Sequence, residues 1–469
     1  MLKVGEDGQL VKATAAAGDH RGDIFTPSTL IDGERGLIDR RIFSDPELYK
    51  LELERLFART WNFLCHESQI PRAGDFFATY IGEDPVLVTR QKDGTIKGLL
   101  NACRHRGMRV CRADEGNVRS FTCTYHGWSY RTDGSLAGVP NEANYKGELD
   151  KSKWGLLRVA QVSSYKGLVF GNFDPDAPSL LDYLGDMTYY LDIMVDRVEG
   201  GTEVLPGIHK WTMGGNWKLA SEQFVGDNYH VASSHISAMM AELEPDRAMR
   251  LQALTGLVMM PSDGHGSGMM YAEGDISGMP SGYNPHIDRY KKDTRRERIN
   301  RLGRERVENV DWIASLVFPN FAMLGPASVL RTFRPRGTGS METWSWVFVD
   351  RKMPKEVKDA WRVEALRHFS PGGTWEQDDG ENWSYCAGGD GYVSNLNRLN
   401  IQMGRGEGRP HPDFPGQVSD IFSENNHRGF YRRWAEFLSA ESWKDITVPQ
   451  RTKPVEHHGS ALSGQSSSV

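Results

Sequence analysis

Two short segments constrain this chain more than any others: NACRHRGMRV at residues 101–110 and FTCTYHGW at residues 121–128. Cys103 and His105 stand one residue apart, seventeen residues follow, and Cys123 and His126 stand two residues apart. Each segment supplies one thiol and one imidazole and ends in a glycine, Gly107 or Gly127. Four such groups meet only if the chain between them doubles back and holds two tight loops against each other. Zinc modules usually pair cysteine with cysteine and histidine with histidine along the chain. A [2Fe–2S] cluster with two thiolates on one iron and two imidazoles on the other needs one of each from either loop. A Cys2His2 zinc knuckle would use the same four residues, and two core thiols beside two surface histidines would need no metal. Glycine turns at 107 and 127 free backbone N–H groups to face bridging sulfides, and Trp128 is placed to shield them.

The surrounding pattern is that of a small β domain over residues 60–180. FFATYI-GED-PVLVTRQ-KDG-TIKGLLNA reads as strands joined by hairpin turns, and YKGLVFGNFDPDAP as a further strand closed by a Pro-rich turn. Residues 1–59 read as a polar, Gly-rich arm to about residue 35, followed by an amphipathic helix in SDPELYKLELERLFARTWNFLCH with its start signal at Ser44. That region is expected to pack with the domain spanning 181–455. There, helical SLLDYLGDMTYYLDIMVD precedes a strand and then a helix in WTMGGNWKLASEQFVGDNYHVASSHISAMMAEL. KKDTRRERINRLGRERVE reads as a solvated helix, and KEVKDAWRVEALRHF and HRGFYRRWAEFLSA as packed ones. Strands recur in WIASLVFPNFAML, SVLRTFRPR and METWSWVFVD. The predicted class is α+β, with helices covering an antiparallel sheet, and the tail 456–469 is expected to be disordered.

Composition narrows the setting. The net charge is only −6 across 469 residues, and no basic stripe points to nucleic acid. No apolar run approaches the eighteen residues a membrane helix needs, and the N-terminus lacks the apolar core of a secretory signal. Five cysteines, odd in number and scattered, are no disulfide framework and suit a reducing cytoplasm. Cys65 and Cys111 have no histidine at motif spacing and read as core thiols.

A second group of metal-type residues lies in EQFVGDNYHVASSH. His230 and His235 are five apart, which on a regular helix turns the second about 140° from the first. Both reach one metal only if the helix is kinked or bulged, and Gly226 gives the backbone that freedom. Asp227 shares a helical face with His230 and can hold its imidazole N–H. An acidic run, FSPGGTWEQDDGEN, offers Asp378 and Asp379, which local sequence does not separate. The Gly-rich stretches GHGSGMM (264–270) and GRGEGRP (404–410) have no strand–helix context for a dinucleotide and read as loops. Nicotinamide is therefore expected to react on another protein.

CRHRG with CTYHGW is similar to the Rieske motif of the bacterial aromatic ring-hydroxylating dioxygenases, in their large (α) subunit. YKGLVFGNFDPDAP, LLDYLGD, NWKLASEQFVGDNYH, FPN and WEQDD resemble further segments of that family in the right order, over roughly residues 40–440. The resemblance implies a Rieske [2Fe–2S] domain with Cys103, His105, Cys123 and His126 as cluster ligands. It implies a catalytic domain in which His230, His235 and Asp379 bind mononuclear Fe(II) as a 2-His-1-carboxylate triad open to O2. Asp227 would join His230 to His126 of a neighbouring subunit. Gln223, Phe224, Val231, Met239, Phe369 and Trp375 match pocket positions, and the lack of arginine in these segments favours hydrocarbons over aromatic acids. Arg331 and Arg334 lie outside them. The implied reaction adds both oxygens of O2 to adjacent carbons of a mono- or polycyclic arene, giving a cis-dihydrodiol. Electrons would come from NADH through a reductase and a ferredoxin, and the assembly would be an α3β3 hexamer with a small β subunit. A Rieske monooxygenase or demethylase, an aromatic-acid dioxygenase, an electron carrier and a zinc-stapled binding protein are the competing readings.

Overall fold

Alternating apolar side chains in DFFATYI and DPVLVTR make two strands, Asp75–Ile81 and Asp84–Arg90, that pair antiparallel with Ile81 opposite Asp84. Only Gly82 and Glu83 are left for the turn, and Gly82 has the left-handed φ of +56° that such two-residue hairpins require. Ile96–Leu100 and Glu115–Asn117 flank the pair to complete a four-stranded sheet. Two three-stranded sheets accompany it. One joins Ser120–Thr122, Ser129–Arg131 and Leu136–Gly138; the other joins Gln161–Tyr165, Leu168–Asn172 and Asn62–His66. Their core contains Phe76, Leu87, Leu99, Phe121 and Tyr130, and Cys103 and Cys123 belong to the same buried cluster. Cys65 is a core thiol at 0% exposure, and burial pushes its ionisation far up.

The computed structural model describes residues 2–4, 10–12, 27–242, 255–271, 284–308, 310, 312–325, 328–388, 391, 393 and 398–453. Its contacts divide into two compact units, one centred on Leu53–Leu180 and the other on Leu181–Ser460, which also takes in the Asp23–Glu52 segment. The tail assigned to residues 456–469 lies outside the described residues.

The second unit is built on ten antiparallel strands. Nine follow the order Thr202–Val204, Ser340–Asp350, Val329–Pro335, Phe321–Gly325, Trp312–Val317, His265–Tyr271, Thr255–Ser262, Gln417–Asp420, Arg409–Pro410. His209–Gly214 pairs with the first half of Ser340–Asp350. The helix Asn425–Ser439 turns Phe430, Tyr431, Trp434, Phe437 and Leu438 inward, the spacing of one helical face, and packs across Thr255–Ser262 and His265–Tyr271. Pro285–Leu302 and Lys355–Phe369 meet over the end of Ser340–Asp350 through Ile287, Val349, Val357 and Trp361.

Several local readings differ from the sequence expectation. Residues 27–39 are not a loose arm: Ile31–Asp32 and Leu37–Asp39 form a hairpin extended by Arg398–Asn400, because Leu30, Ile31 and Ile38 bury their side chains. The following helix is capped by Asp45 rather than Ser44, since the Asp45 carboxylate accepts from the backbone of Glu47 and Leu48. WIASLVFPNFAML is two strands joined at Phe318–Asn320. GHGSGMM is no loop but the strand His265–Tyr271 at the middle of the sheet.

Candidate active site

The first group is held by two loops with the same backbone wiring. Gly107 N–H donates to the Cys103 carbonyl at 2.8 Å and Cys103 N–H to Met108 at 2.8 Å; Gly127 N–H donates to Cys123 at 2.9 Å and Cys123 N–H to Trp128 at 2.9 Å. Both glycines have left-handed φ, +74° and +72°, which lets each loop reverse within a few residues. Pairing of Thr122 with Ser129 makes the second loop the tip of a hairpin. The thiols of Cys103 and Cys123 are buried, and the half-buried rings of His105 and His126 lie 4.5 Å apart. Trp128, itself buried, stacks parallel to His105 at 5.2 Å and 4°. The Tyr130 hydroxyl lies 3.2 Å from Cys103 Sγ and accepts from Arg104 N–H, a contact that the motif spacing did not suggest. His105 Nδ1 is buried without a hydrogen-bond partner. Such an orphaned acceptor beside two buried thiols fits a cluster that takes thiolate on its inner side and imidazole on its outer side.

The second group depends on a broken helix. Trp217–Gln223 is capped by Asn216, after which the chain turns through Gly226 at φ +127°. A single helical turn, Val231–Ser234, ends at His235, and a new helix starts at Ile236. The break removes the 140° objection and brings the two imidazoles to a centroid separation of 5.2 Å. Asp379, from the helix Thr374–Ala387, places Oδ1 3.5 Å from His230 Nε2 and 3.3 Å from His235 Nε2. One ligand atom from each of His230, His235 and Asp379 lies within 4.8 Å of the others. Asp379 Oδ1 is buried and makes no hydrogen bond, so the three atoms converge on a point suited to a divalent cation. Asp378 turns to the other nitrogen of the same ring: its Oδ2 accepts from His235 Nδ1 at 3.1 Å. Asp227 Oδ2 lies 3.3 Å from His230 Nδ1, and its Oδ1 accepts from the backbone of Tyr229 and His230.

The glycine-rich strand explains how this segment packs. A Cβ on Gly266 would meet the Val225 carbonyl at 2.5 Å, and one on Gly268 would meet the Asn228 side chain at 2.6 Å and Gly226 Cα at 2.7 Å. Residues 225–228 therefore lie flat on bare backbone. Asn426 pins them there, donating to the carbonyls of Val225 and Met259 at 2.5 and 2.9 Å.

Burial alone would hold His230 neutral, but the Asp227 charge and hydrogen bond, with Asp379 behind, raise its pKa to about 9. Burial likewise opposes ionisation of Asp227 and Asp379, yet the neighbouring histidines hold both carboxyls below their ordinary range. A set of ionised carboxylates around imidazoles is what a divalent cation binds with release of the imidazole proton.

Beside the three ligand atoms lies a pocket that is partly open to solvent. Of the pocket residues expected from sequence, Gln223, Phe224, Val231, Phe369 and Trp375 line it; Met239 does not, being fully buried on the Ile236–Glu242 helix. Trp312, Ala314 and Leu324 also line it. Ala314 and Leu324 are register partners on adjacent strands that are buried at nearly every position, so no alternation in the sequence marks them as the cavity face. Trp375 lies over His235 at 4.7 Å, and Gln223 bonds to Asp379 while accepting from Trp383. No Lys or Arg is among the lining residues. Arg331 is wholly buried behind the lining residues, 5.8 and 5.3 Å from the Phe224 and Phe369 rings, paired with Glu376 and donating to the Phe369 carbonyl, and Arg334 lies over Trp344.

Comparison with known proteins places the same two regions. Residues 60–165 match the Rieske [2Fe-2S] domain, and residues 186–440 match the ring hydroxylating alpha subunit (catalytic domain). The chain is 42% identical over 438 residues to the biphenyl 2,3-dioxygenase subunit alpha of Rhodococcus jostii, covering 90% of this chain and 93% of that protein. It is 42% identical over 428 residues to a benzene 1,2-dioxygenase subunit alpha of Pseudomonas putida, covering 89% and 94%. A solved naphthalene 1,2-dioxygenase from Rhodococcus sp., bound to indole, superposes with a TM-score of 0.79 at 37% identity, over 89% of this chain and 98% of that one. No helix among the described residues is long and apolar enough to cross a membrane.

Proposed function

The chain belongs to the family of aromatic ring-hydroxylating dioxygenase large (α) subunits, with a Rieske [2Fe–2S] domain and a mononuclear-iron catalytic domain, and on that premise we propose that it adds both atoms of O2 to an apolar arene, giving a cis-dihydrodiol. The observation that carries the substrate class is an apolar, aromatic-walled cavity beside the converging His230, His235 and Asp379 atoms, with no cationic side chain among its lining residues to hold a substrate carboxylate. The ring would be mono- or polycyclic; relatives that act on benzene and on biphenyl are about equally similar.

In this reading Cys103 and Cys123 hold one iron of the cluster and His105 and His126 the other, while His230, His235 and Asp379 hold Fe(II). When bound, the two groups supply single electrons and the place where O2 is activated. The chain's own residues do the rest. Asp378 fixes His235 by accepting from its Nδ1, and the Asp227 carboxylate, 3.3 Å from His230 Nδ1, holds that ring by its charge, leaving each Nε2 for the metal. Phe224, Trp312, Phe369 and Trp375 bind the ring by its faces and edges and exclude water from the reacting carbons. Asp227 would also be the bridge by which an electron enters from His126 of a neighbouring chain, so the working form is an oligomer, an α3β3 hexamer with a small β subunit. The reducing chain is a ferredoxin and a reductase oxidising NADH, and the setting is the cytoplasm.

The test is anaerobic purification followed by turnover of a panel of benzene, biphenyl, naphthalene and benzoate with the reducing proteins supplied. A red-brown protein with a Rieske-type EPR signal that consumes one O2 per diol, and prefers the hydrocarbons, meets the proposal. A colourless zinc protein, or preference for benzoate, defeats it.

A further inference from the structure

The catalytic sheet has a second cavity on its other face. Ile313 and Gly325 line it, whereas their chain neighbours Trp312, Ala314 and Leu324 line the iron-side cavity, as alternation along a strand demands. It is partly open to solvent and is bounded by the helix Pro285–Leu302, the end of Met187–Val195 with Arg197 after it, and the end of Ser340–Asp350. Six of its lining side chains are Lys or Arg and only two, Asp350 and Glu308, are carboxylates.

Both carboxylates are already engaged. Asp350 accepts from Arg197 Nε at 3.0 Å and from the Tyr290 hydroxyl at 3.1 Å. Glu308 is shared by Arg295 and by Arg304, the latter at 2.7 Å. Arg197 is only 8% exposed, and its Nη2 is buried without a partner, as is Nε of Arg298 on the helix wall. Burial, with the Arg197 charge beside it, pulls Arg298 down to about 10. Even so, the guanidinium remains charged by about a thousandfold at pH 7. Asp350 is the one carboxylate acting on both guanidinium groups, so an excess positive charge stays buried, and that destabilises the chain that carries it. Two guanidinium groups that border one recess, among six cations, match the forked recognition of carboxylate or phosphate.

We propose that this recess is a binding site for a small polyanion bearing carboxylate or phosphate groups, held by Arg197 and Arg298 on the face of the sheet opposite the iron. The site is separate from the dioxygenase reading and does not need it. Its occupant would tie the Pro285–Leu302 helix to the strands whose opposite face walls the arene cavity.

The test uses the assembled holoenzyme, titrated with citrate and with inorganic phosphate against sodium chloride at matched ionic strength, followed by calorimetry and thermal unfolding. Saturable binding of either anion is expected, weakened about tenfold or more in Arg298→Met, with Arg298→Lys between the two. Arg298→Met should also unfold at a higher temperature than the parent in anion-free buffer, because it removes the buried positive charge in excess of Asp350, and should keep arene turnover. No heat or thermal shift beyond that of chloride overturns the proposal, as does unchanged affinity in Arg298→Met. Binding by the isolated chain that disappears in the holoenzyme also overturns it, because the recess then receives an acidic side chain of a companion subunit. Citrate alone or phosphate alone giving the shift tells which chemistry the site takes.

Discussion

Asp378 and Asp379 are neighbours in the sequence with different expected roles, and substitution separates them. His235 is engaged on both sides: Nε2 faces Asp379 Oδ1 at 3.3 Å, and Nδ1 bonds to Asp378 Oδ2 at 3.1 Å. A carboxylate at Nδ1 keeps the ring proton there and leaves the Nε2 lone pair for iron. Asp378→Asn preserves an accepting oxygen and removes only the charge. A charge-assisted hydrogen bond contributes roughly 1.5–3 kcal/mol against roughly 1 for a neutral one. Because the Asp378 side chain is 26% exposed, water screens it toward the low end. The difference of about 1 kcal/mol corresponds to roughly fivefold weaker iron binding, and Asp378→Ala, which strands the N–H, to roughly ten- to thirtyfold. Asp379→Asn removes an anionic ligand and should leave no retained mononuclear iron. The assay is anaerobic competition with a graded chelator, counting iron outside the cluster, with the Rieske absorption as internal standard. If Asp378→Asn loses iron as completely as Asp379→Asn, or if Asp378→Ala loses none, the division of labour is wrong.

Two further outcomes follow from the packing. Burial, together with the charges of Asp227 and Glu424 and against a hydrogen bond from Tyr431, lifts Glu222 to about 8, above its ordinary 4.5. The folded state then holds the proton more tightly than the unfolded one, so this contribution is complete below about pH 4.5 and is lost as pH rises toward 8. Unfolding free energies of the parent from urea titration should fall across that window by up to about 1.4 kcal/mol per pH unit more steeply than those of Glu222→Gln; parallel curves would contradict the assignment. Ala314→Leu adds bulk to the cavity wall beside Leu324. Competition between a one-ring and a two-ring arene should shift toward the smaller by about tenfold or more in diol ratio, and an unchanged ratio would place the ring elsewhere.

The sharp turn that leads to His230 and His235 rests on a strand whose role is invisible locally. Gly266 and Gly268 were legible only as loop glycines, because nothing near them in the chain marks them as a surface for Val225 and Asn228 some forty residues away. Their function is to be thin. That requirement belongs to the contact between two segments and leaves no periodicity in either.

What the sequence determined by itself was local in its physics. Alternation wrote the hairpins of the first unit, and the residue types in CRHRG and CTYHGW restricted the chemistry of their loops before any coordinate was known. His230, His235 and the acidic run were visible as metal-type residues, but their spacing argued against a shared metal until the helix was seen to break between Ser234 and Ile236. The tertiary structure decided which oxygen of which aspartate faces both Nε2 atoms, that Met239 is core rather than cavity wall, and that Arg331 is committed to Glu376. Each of those depends on side chains brought together across dozens to hundreds of residues. Such distances are set by how helices and strands pack, and no local pattern encodes them.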